Sequence, residues 1–319
     1  MAVRGSTRTV ASGAAVVGIV GGPGVRPRPR ADRRGSPANR RGARVTVAVI
    51  TDSAAALPTD LATGADIAVV PMWLTWRGRP EPEGTRPLDE LVTEDRVTTS
   101  APTPGEWAAA INDALRTYSS VLVCTIASTM SATHQAAVMA AGSVDAPVRV
   151  VDTLTAAGGE ALVVIAAANA AQSGADLDEC EARALHVRDR VRLVATLGSL
   201  DHLVRSGRVP GIAGWAGKRL GINPLFEFRD GKIRRLRPAL SPEAALDRMV
   251  GMLARSRVNG GRLHVVALHA LALPAAQALR AQIEQDFAPA TSFIGEFGPV
   301  MVVHTGPGLS GLAWWWEEG

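Results

Sequence analysis

Short apolar runs of strand type alternate with helical segments over residues 45–190, and three of these runs end in hydroxyl and carboxylate side chains. The polar endings are Thr51-Asp52-Ser53, residues 128–133 and Asp152-Thr153. Such an alternation predicts a parallel sheet covered by helices. The carboxyl ends of parallel strands share one edge of the sheet, and ligands bind at that edge. We therefore expect the three polar turns to meet at a ligand-binding edge.

The stretch 121–141 is the most informative of these segments. It begins as a buried strand, passes through Ser128, Thr129 and Ser131, and ends in an Ala-rich helical run. Free N–H groups and the positive dipole end favour an anion at a helix start. Ser and Thr are also common helix caps. The local pattern therefore leaves two interpretations open, an anion site and a capped helix.

The second half of the chain shows a different order of elements. Strand patterns at 225–228 and 232–236 flank Asp230-Gly231, which is a strong hairpin signal. The apolar run 300–303 is predicted to be the last strand, with His304 at its end. Residues 76–87 are expected to form a Pro/Gly-rich loop, and the three tryptophans at 314–316 are interpreted as packing or as a loose tail. The pattern predicts a mixed sheet with helices.

The net charge of +4 is distributed unevenly along the chain. Residues 1–45 contain ten Arg and one acidic residue, whereas the remainder contains 24 basic and 29 acidic residues. The remainder has no basic excess, so we expect no nucleic-acid binding. We interpret residues 1–44 as a disordered Arg/Gly/Pro-rich extension, or as the result of a translation start assigned too far upstream.

Other motifs exclude several classes of site. Cys124 and Cys180 show neither metal nor redox spacing, so we expect no metal site and a cytoplasmic protein. No apolar run is long enough for a membrane span, and we expect no stable membrane insertion. A literal G-x-G-x-x-G at 306–311 lacks the βαβ unit that a dinucleotide site needs. The G-x-S-x-G elbow of α/β hydrolases is absent from the sequence.

Several short motifs, taken in order, resemble the DegV family between about Val45 and about Ala313. They are Thr51-Asp52-Ser53 with Leu57-Pro58, Val70-Pro71, Thr99-Ser100-Ala101-Pro102, the run 128–137, the run 196–208 ending in Arg205-Ser206-Gly207-Arg208, the run 223–233, and His304-Thr305-Gly306-Pro307-Gly308. Each motif is weak alone, but the ordered set is specific. The sequence is therefore similar to DegV proteins over most of its length.

The resemblance implies an α/β protein of two domains. Residues 45–178 would form an N-terminal Rossmann-like three-layer domain with a parallel sheet. Residues 179–319 would form a smaller two-layer α/β domain with a mixed sheet. It further implies that a long-chain fatty acid lies in a tunnel between the domains. A separate fatty acid kinase catalytic subunit would phosphorylate the bound carboxylate to an acyl phosphate, so the chain would be a carrier with no catalytic residues and no cofactor.

The same resemblance assigns roles to individual residues. Thr99 and Ser131 are expected to hold the carboxylate, and His304 with its following loop to close the head-group end. Arg205 is expected to contact the kinase or the acyl phosphate. The full set of expected ligand-binding residues is Thr99, Ser100, Ser128, Thr129, Ser131, His304 and Gly306. Ala132 stands where the family usually has glycine, which could shift the turn at Ser131.

Elementary chemistry agrees with a fatty acid ligand. Two hydroxyls and helix N–H groups can hold a carboxylate without a buried cation. An apolar cavity stabilises an alkyl chain by roughly 0.8 kcal/mol per CH₂. Two other functions stay open. One is an acyl hydrolase with Ser131 or Thr99 as nucleophile and His304 as base, and the other is a regulatory protein for which the lipid is structural.

Overall fold

The computed structural model describes residues 47–92, 97–209 and 223–318. The predicted extension at 1–44 lies outside these residues. The strands are β1 (Val47–Asp52), β2 (Ile67–Val70), β3 (Trp73–Trp76), β4 (Arg79–Pro82), β5 (Thr98–Ser100), β6 (Ser120–Thr125), β7 (Val148–Asp152), β8 (Arg192–Thr196), β9 (Leu225–Arg229), β10 (Lys232–Arg235), β11 (Arg262–His269), β12 (Thr291–Glu296) and β13 (Ser310–Glu317). The helices are α1 (Thr59–Gly64), α2 (Leu88–Val92), α3 (Pro104–Ala114), α4 (Thr133–Ala141), α5 (Ala157–Gln172), α6 (Leu177–Arg188), α7 (Asp201–Ser206), α8 (Pro242–Arg255), α9 (Leu273–Phe287) and α10 (Pro299–Thr305). A short 3₁₀ turn, Ser53–Ala55, follows β1.

The first sheet is parallel throughout, with the strand order β2–β1–β6–β7. Every residue of β1 and of β6 is buried, as expected for strands covered on both faces. Their registers place the ends of β1, β6 and β7 side by side, because Thr51 pairs with Cys124 and Thr125 pairs with Asp152. The prediction that the polar turns share one sheet edge is therefore confirmed for these strands.

The second sheet is mixed, with the order β10–β9–β8–β13–β11–β12. Only β11 and β12 pair in parallel among its strands. Asp230 and Gly231 have φ angles of 53° and 69°, which suit a two-residue hairpin turn. The predicted hairpin and the predicted α/β fold with one parallel and one mixed sheet are confirmed.

Helix α5 lies between the two sheets. It packs on β1 and β6 of the parallel sheet and on β11 and β13 of the mixed sheet. Its sequence is apolar nearly all round, which suits a helix with no solvent face. Gly158 permits the close approach of α5 to β11, since a Cβ at this position would lie 2.8 Å from Val266 Cβ. One apolar core therefore joins the sheets, and the boundary at 178/179 stays a prediction.

The predicted strand at 300–303 is wrong, because these residues belong to α10. Gly298 is extended, with φ −65° and ψ 169°, and Pro299 occupies the first helical position, where its missing N–H costs nothing. Four apolar residues do not distinguish a strand from a helical turn. His304 consequently lies on the last turn of a short helix and not at a strand end.

Two further differences concern strands that the sequence did not predict. The final strand is β13, which includes Trp314, Trp315 and Trp316, all buried, so these tryptophans pack in the core. The expected loop at 76–87 contains β4, joined to β3 through Arg77 and Gly78 at positive φ. β3 also pairs with β5, and the resulting small antiparallel sheet positions Thr99.

Candidate functional site

A narrow cavity of about 320 Å³ lies beside the turn after β6. We call it the apolar cavity, and its lining residues come from both halves of the chain. They are Met72, Thr99, Ser100, Ala101, Ile126, Met130, Ser131, Ala132, Leu203, Arg208, Val300, Met301, His304 and Thr305. Most of these side chains are apolar and a few are polar, which is typical of a site for an amphipathic small molecule.

Thr99 and His304 meet at the polar part of the wall. The Thr99 hydroxyl lies 2.7 Å from His304 Nε2. β5 fixes Thr99 through its pairing with Leu74 of β3, and α10 supplies the histidine. Burial, reinforced by the positive charge of Arg208, lowers the pKa of His304 to about 4. The imidazole is therefore neutral at pH 7 and can either donate or accept a hydrogen bond.

Ser131 both lines the cavity and accepts a hydrogen bond from the first residue of a helix. Its hydroxyl lies 2.7 Å from Thr133 Oγ1 and accepts a hydrogen bond of 3.3 Å from the Thr133 N–H. α4 begins at Thr133, so Ser131 supports the helix start. Ala132 has φ −70°, and the turn therefore needs no glycine at this position. The two interpretations of this stretch, capped helix and ligand-facing turn, are compatible.

The other expected ligand residues divide into two groups. Ser100 lines the apolar cavity. Thr129 instead donates to the Gly231 carbonyl at 2.7 Å, and the Ser128 N–H donates to Asp152 at 3.2 Å. Gly306 has φ 75° and lies against the His202 ring, which a Cβ would approach to 2.6 Å. The structure thus brings Thr99, Ser100, Ser131 and His304 together and places Ser128, Thr129 and Gly306 outside the cavity wall, where their roles stay predictions.

A wider cavity of about 530 Å³ adjoins the first one, since both are lined by Thr99, Arg208 and His304. We call it the arginine vestibule. Arg205 and His202 of α7 also line it, and Arg205 Nη2 lies 3.3 Å from His202 Nε2. Arg205 and Arg208 are exposed. The vestibule therefore has a positive, solvent-facing wall beside the polar end of the apolar cavity.

Arg208 is the residue of this region that the sequence interpretation did not assign. Its signal was present, because Arg208 ends the Arg-Ser-Gly-Arg motif. The sequence predicts a short helix from Ser199 to Arg205 that ends at Ser206-Gly207-Arg208, and α7 does end at Ser206, with Gly207 left-handed at φ 67°. That turn places Arg208 where it lines both cavities.

Two carboxyl groups, the buried Asp52 and the half-buried Glu83, support the elements that form the site. Asp52 accepts hydrogen bonds from the N–H groups of Ala54 at 3.0 Å and Ile126 at 2.9 Å. Glu83 accepts from the Val300 N–H at 2.8 Å, at the start of α10, and from the Ser53 hydroxyl. Burial raises the pKa of Asp52 to about 7 and raises the pKa of Glu83 above its ordinary value. The sequence indicated Asp52 as a strand end but gave no sign of Glu83.

Within residues 47–92, 97–209 and 223–318, no three His, Cys, Asp or Glu side chains are grouped so that they could hold a metal ion. In those ranges, every helix is too short or too polar to cross a bilayer.

Comparisons with known proteins agree on one family. The DegV family model, described as an uncharacterised protein of the DegV family, matches residues 46–317. A DegV domain-containing protein of Mycobacterium tuberculosis is 31% identical over 273 residues, which cover 84% of this chain and 96% of the relative. A fatty acid-binding protein of Thermotoga maritima is 27% identical over 278 residues, covering 83% and 96%. Among solved structures, a DegV family protein of Thermus thermophilus, described for fatty acid binding, matches with a TM-score of 0.79 at 25% identity, covering 85% of this chain and 99% of the other.

Proposed function

This chain belongs to the DegV family, and on that premise we propose that it binds a long-chain fatty acid in the apolar cavity. The observation that carries the proposal is that the Thr99–His304 contact and the Ser131 hydroxyl line the same cavity, most of whose other lining residues are apolar. The relatives described as fatty acid-binding proteins support it. The carrier would act in the cytoplasm.

The chemistry of the polar wall suits a carboxylate. When Nε2–H of neutral His304 donates to Thr99 Oγ1, the Thr99 hydroxyl can donate to a carboxylate oxygen. The Ser131 hydroxyl can donate as well when Thr133 is the donor of their mutual hydrogen bond. Arg208 adds a positive charge at the same place. Met72, Met130 and Met301 line the remainder, and flexible thioether side chains adapt to an alkyl chain.

The arginine vestibule suggests how a bound carboxylate could be modified. We propose that a separate kinase reaches the head group through the vestibule and forms an acyl phosphate. In that reaction a carboxylate oxygen attacks the γ-phosphorus of ATP, the bond from that phosphorus to the β,γ-bridging oxygen breaks, and ADP leaves. Arg205 and Arg208 would attract the phosphate groups or an acidic surface of the kinase.

Ligand binding is tested on freshly purified protein by native mass spectrometry and organic extraction. The expected result is a mass increment of one acyl chain, with the fatty acid recovered in the extract. The double variant Thr99→Val with Ser131→Ala should lose most of this ligand, whereas Ser173→Ala, at the exposed end of α5 and outside the cavity wall, should retain it. A clean apo mass for the wild-type protein would overturn the proposal.

Kinase presentation requires its own experiment. The protein loaded with a ¹⁴C-labelled fatty acid is mixed with ATP and a candidate kinase, and hydroxylamine converts any acyl phosphate to an acyl hydroxamate. Arg205→Ala should lower hydroxamate formation while fatty acid affinity stays unchanged, because Arg205 lines the vestibule and not the apolar cavity. Equal hydroxamate formation by both proteins would remove Arg205 from the interaction.

A hydrolase is the second candidate, and the 2.7 Å contact between Thr99 and His304 favours it, since a nucleophile and its base need this geometry. In the described residues, however, no carboxylate is hydrogen-bonded to His304 to orient its ring. Turnover of p-nitrophenyl esters that is abolished by both Thr99→Val and His304→Gln would establish this activity.

A further inference from the structure

Glu160 has an unusual environment for a carboxyl group. It lies in the first turns of α5, is fully buried, and faces the end of β1. The Thr51 hydroxyl donates to its Oε1 at 3.1 Å. Its Oε2 accepts no hydrogen bond from any donor in the parts of the chain that the structure describes. One hydroxyl cannot compensate a buried carboxylate charge.

The charged groups that shift the pKa values of Glu160 and of its neighbour Asp52 are all acidic. The charges of Asp52 in β1 and Asp152 at the end of β7 raise the pKa of Glu160, and the charge of Glu83 raises the pKa of Asp52. Cys124 of β6 also lies close to both carboxyl groups. Burial and the charge of Asp52 together raise the pKa of Glu160 well above its ordinary value. The raised pKa favours the protonated form of Glu160 in the native protein.

Asp52 is the partner that keeps the negative charge more readily. It accepts two backbone hydrogen bonds, from Ala54 and Ile126, and such bonds favour the ionised form. The Glu160 carboxyl is close enough to hydrogen-bond to Asp52. A proton shared by the pair therefore resides mainly on Glu160, which can donate it towards Asp52.

The other end of this chain of contacts is the ligand site. Ile126 lines the apolar cavity, and the turn that carries Ser131 follows it directly. We propose that Glu160 is a positioning residue that holds Asp52 in place at the end of β1, and that Asp52 thereby fixes the backbone of the fatty acid-binding turn at Ile126. The ligand part of this inference rests on the proposed function, whereas the positioning part does not.

The protonation of Glu160 gives a signature that a merely space-filling residue would lack. The unfolded chain releases the Glu160 proton near pH 4.5, whereas the native protein retains it to a higher pH. Above that pH the native state binds more protons, so the unfolding equilibrium constant rises by up to about tenfold per pH unit from this group. Glu160→Gln cannot ionise and keeps a donor, so it removes this contribution.

The first experiment measures urea unfolding of the wild type and Glu160→Gln between pH 5 and 8. The ratio of their unfolding constants is expected to grow with pH in favour of the variant. Glu284→Gln is the matched control, because Glu284 is exposed and paired with Arg280, which lowers its pKa. The ratio of the unfolding constants of the wild type and Glu284→Gln should not grow with pH in favour of the variant. Parallel curves for the wild type and Glu160→Gln would overturn the assignment of a protonated Glu160.

The second experiment measures the positioning itself, through the hydrogen exchange of the Ile126 amide and the affinity for a fluorescent fatty acid. Asp52→Asn and Glu160→Ala should speed the exchange and weaken affinity roughly tenfold, while Glu160→Gln should restore both. Folded variants with wild-type exchange at Ile126 would overturn the inference. If the wild-type protein binds no fatty acid, the proposed function fails, but exchange at Ile126 still decides the positioning role.

Discussion

The Thr99 hydroxyl lies 2.7 Å from His304 Nε2, although 205 residues separate the two in the sequence. Thr99 belongs to a three-residue strand and His304 to the last turn of a short helix. Neither element could hold a ligand by itself. Their contact sets one wall of the apolar cavity, so the stability of that contact should be coupled to ligand binding.

The first prediction concerns the pH dependence of stability at His304. Its pKa is about 4 in the native protein, whereas the unfolded residue titrates near 6.5. Between these values the unfolded chain binds more protons, so the free energy of unfolding falls as the pH falls from 6.5 to 4. After a discount for its partial exposure, we expect a loss of about 2 kcal/mol from this group.

Chemical denaturation of the wild type and of His304→Gln at pH 4 to 7 measures this effect. The variant lacks the titrating ring, so its advantage should increase as the pH decreases and be constant above pH 7. A difference that does not change with pH would show that His304 is protonated in the native protein as readily as in the unfolded chain.

The parallel core could be predicted because its strands and helices carry strong local patterns. β1, β6 and α5 are continuous apolar segments, and Thr103 with Glu106 forms the capping box that starts α3. The site could be predicted only in part. A four-residue run could not show that His304 belongs to a helix, and the β3–β4 hairpin depends on positive φ at Arg77, a residue with no turn preference.

Long-range contacts account for the remaining differences. Glu83 accepts a hydrogen bond from the Val300 N–H, 217 residues away in the sequence. No local sequence pattern predicts a contact between residues so far apart. β13 is apolar from Gly311 to Trp316 because it lies between β8 and β11. Its three tryptophans therefore resemble a loose apolar tail when the pairing is unknown. Tertiary pairing and not propensity defines such segments.

The second prediction tests the packing of α5 on the mixed sheet. A Cβ at Gly158 would lie 2.8 Å from Val266 Cβ and 2.9 Å from its Cγ1, so Gly158→Ala should force the helix away from β11. We expect a loss of about 1 to 3 kcal/mol in the free energy of unfolding. Gly142→Ala is the matched control, because its nearest contact would be an ordinary 3.6 Å. If Gly158→Ala and the wild type had the same midpoint of thermal unfolding, the close contact between α5 and β11 would be contradicted.

The third prediction concerns Glu83, which joins the loop after β4 to the start of α10. Glu83→Ala would leave the Val300 N–H and the Ser53 hydroxyl without this acceptor, which should cost about 1 to 3 kcal/mol of stability. Because α10 carries His304, fatty acid affinity should fall as well. Urea unfolding measures the loss of stability, and titration of the folded protein with a fluorescent fatty acid measures the loss of affinity. Glu81→Ala, which breaks the nearby ion pair with Arg86, is the control and should leave affinity unchanged.

The fourth prediction concerns the length of the acyl chain that fits the apolar cavity. Met130 lines the cavity, and Met130→Trp would fill part of its volume of about 320 Å³. We expect the variant to exclude the longest chains that the wild type accepts and to retain shorter ones. Each methylene that no longer fits removes roughly 0.8 kcal/mol of binding free energy, so affinity should fall most steeply for the longest ligands.

A matched substitution separates this effect from a general change of stability. Met139 lies on α4 with 57% of its surface exposed, so Met139→Trp adds the same bulk outside the cavity. Competition binding with saturated fatty acids of increasing length should give the wild-type profile for Met139→Trp and a profile shifted to shorter chains for Met130→Trp. If both variants kept the wild-type profile, the alkyl chain would not pass Met130, and the acyl part of the site would have to lie along another part of the cavity wall.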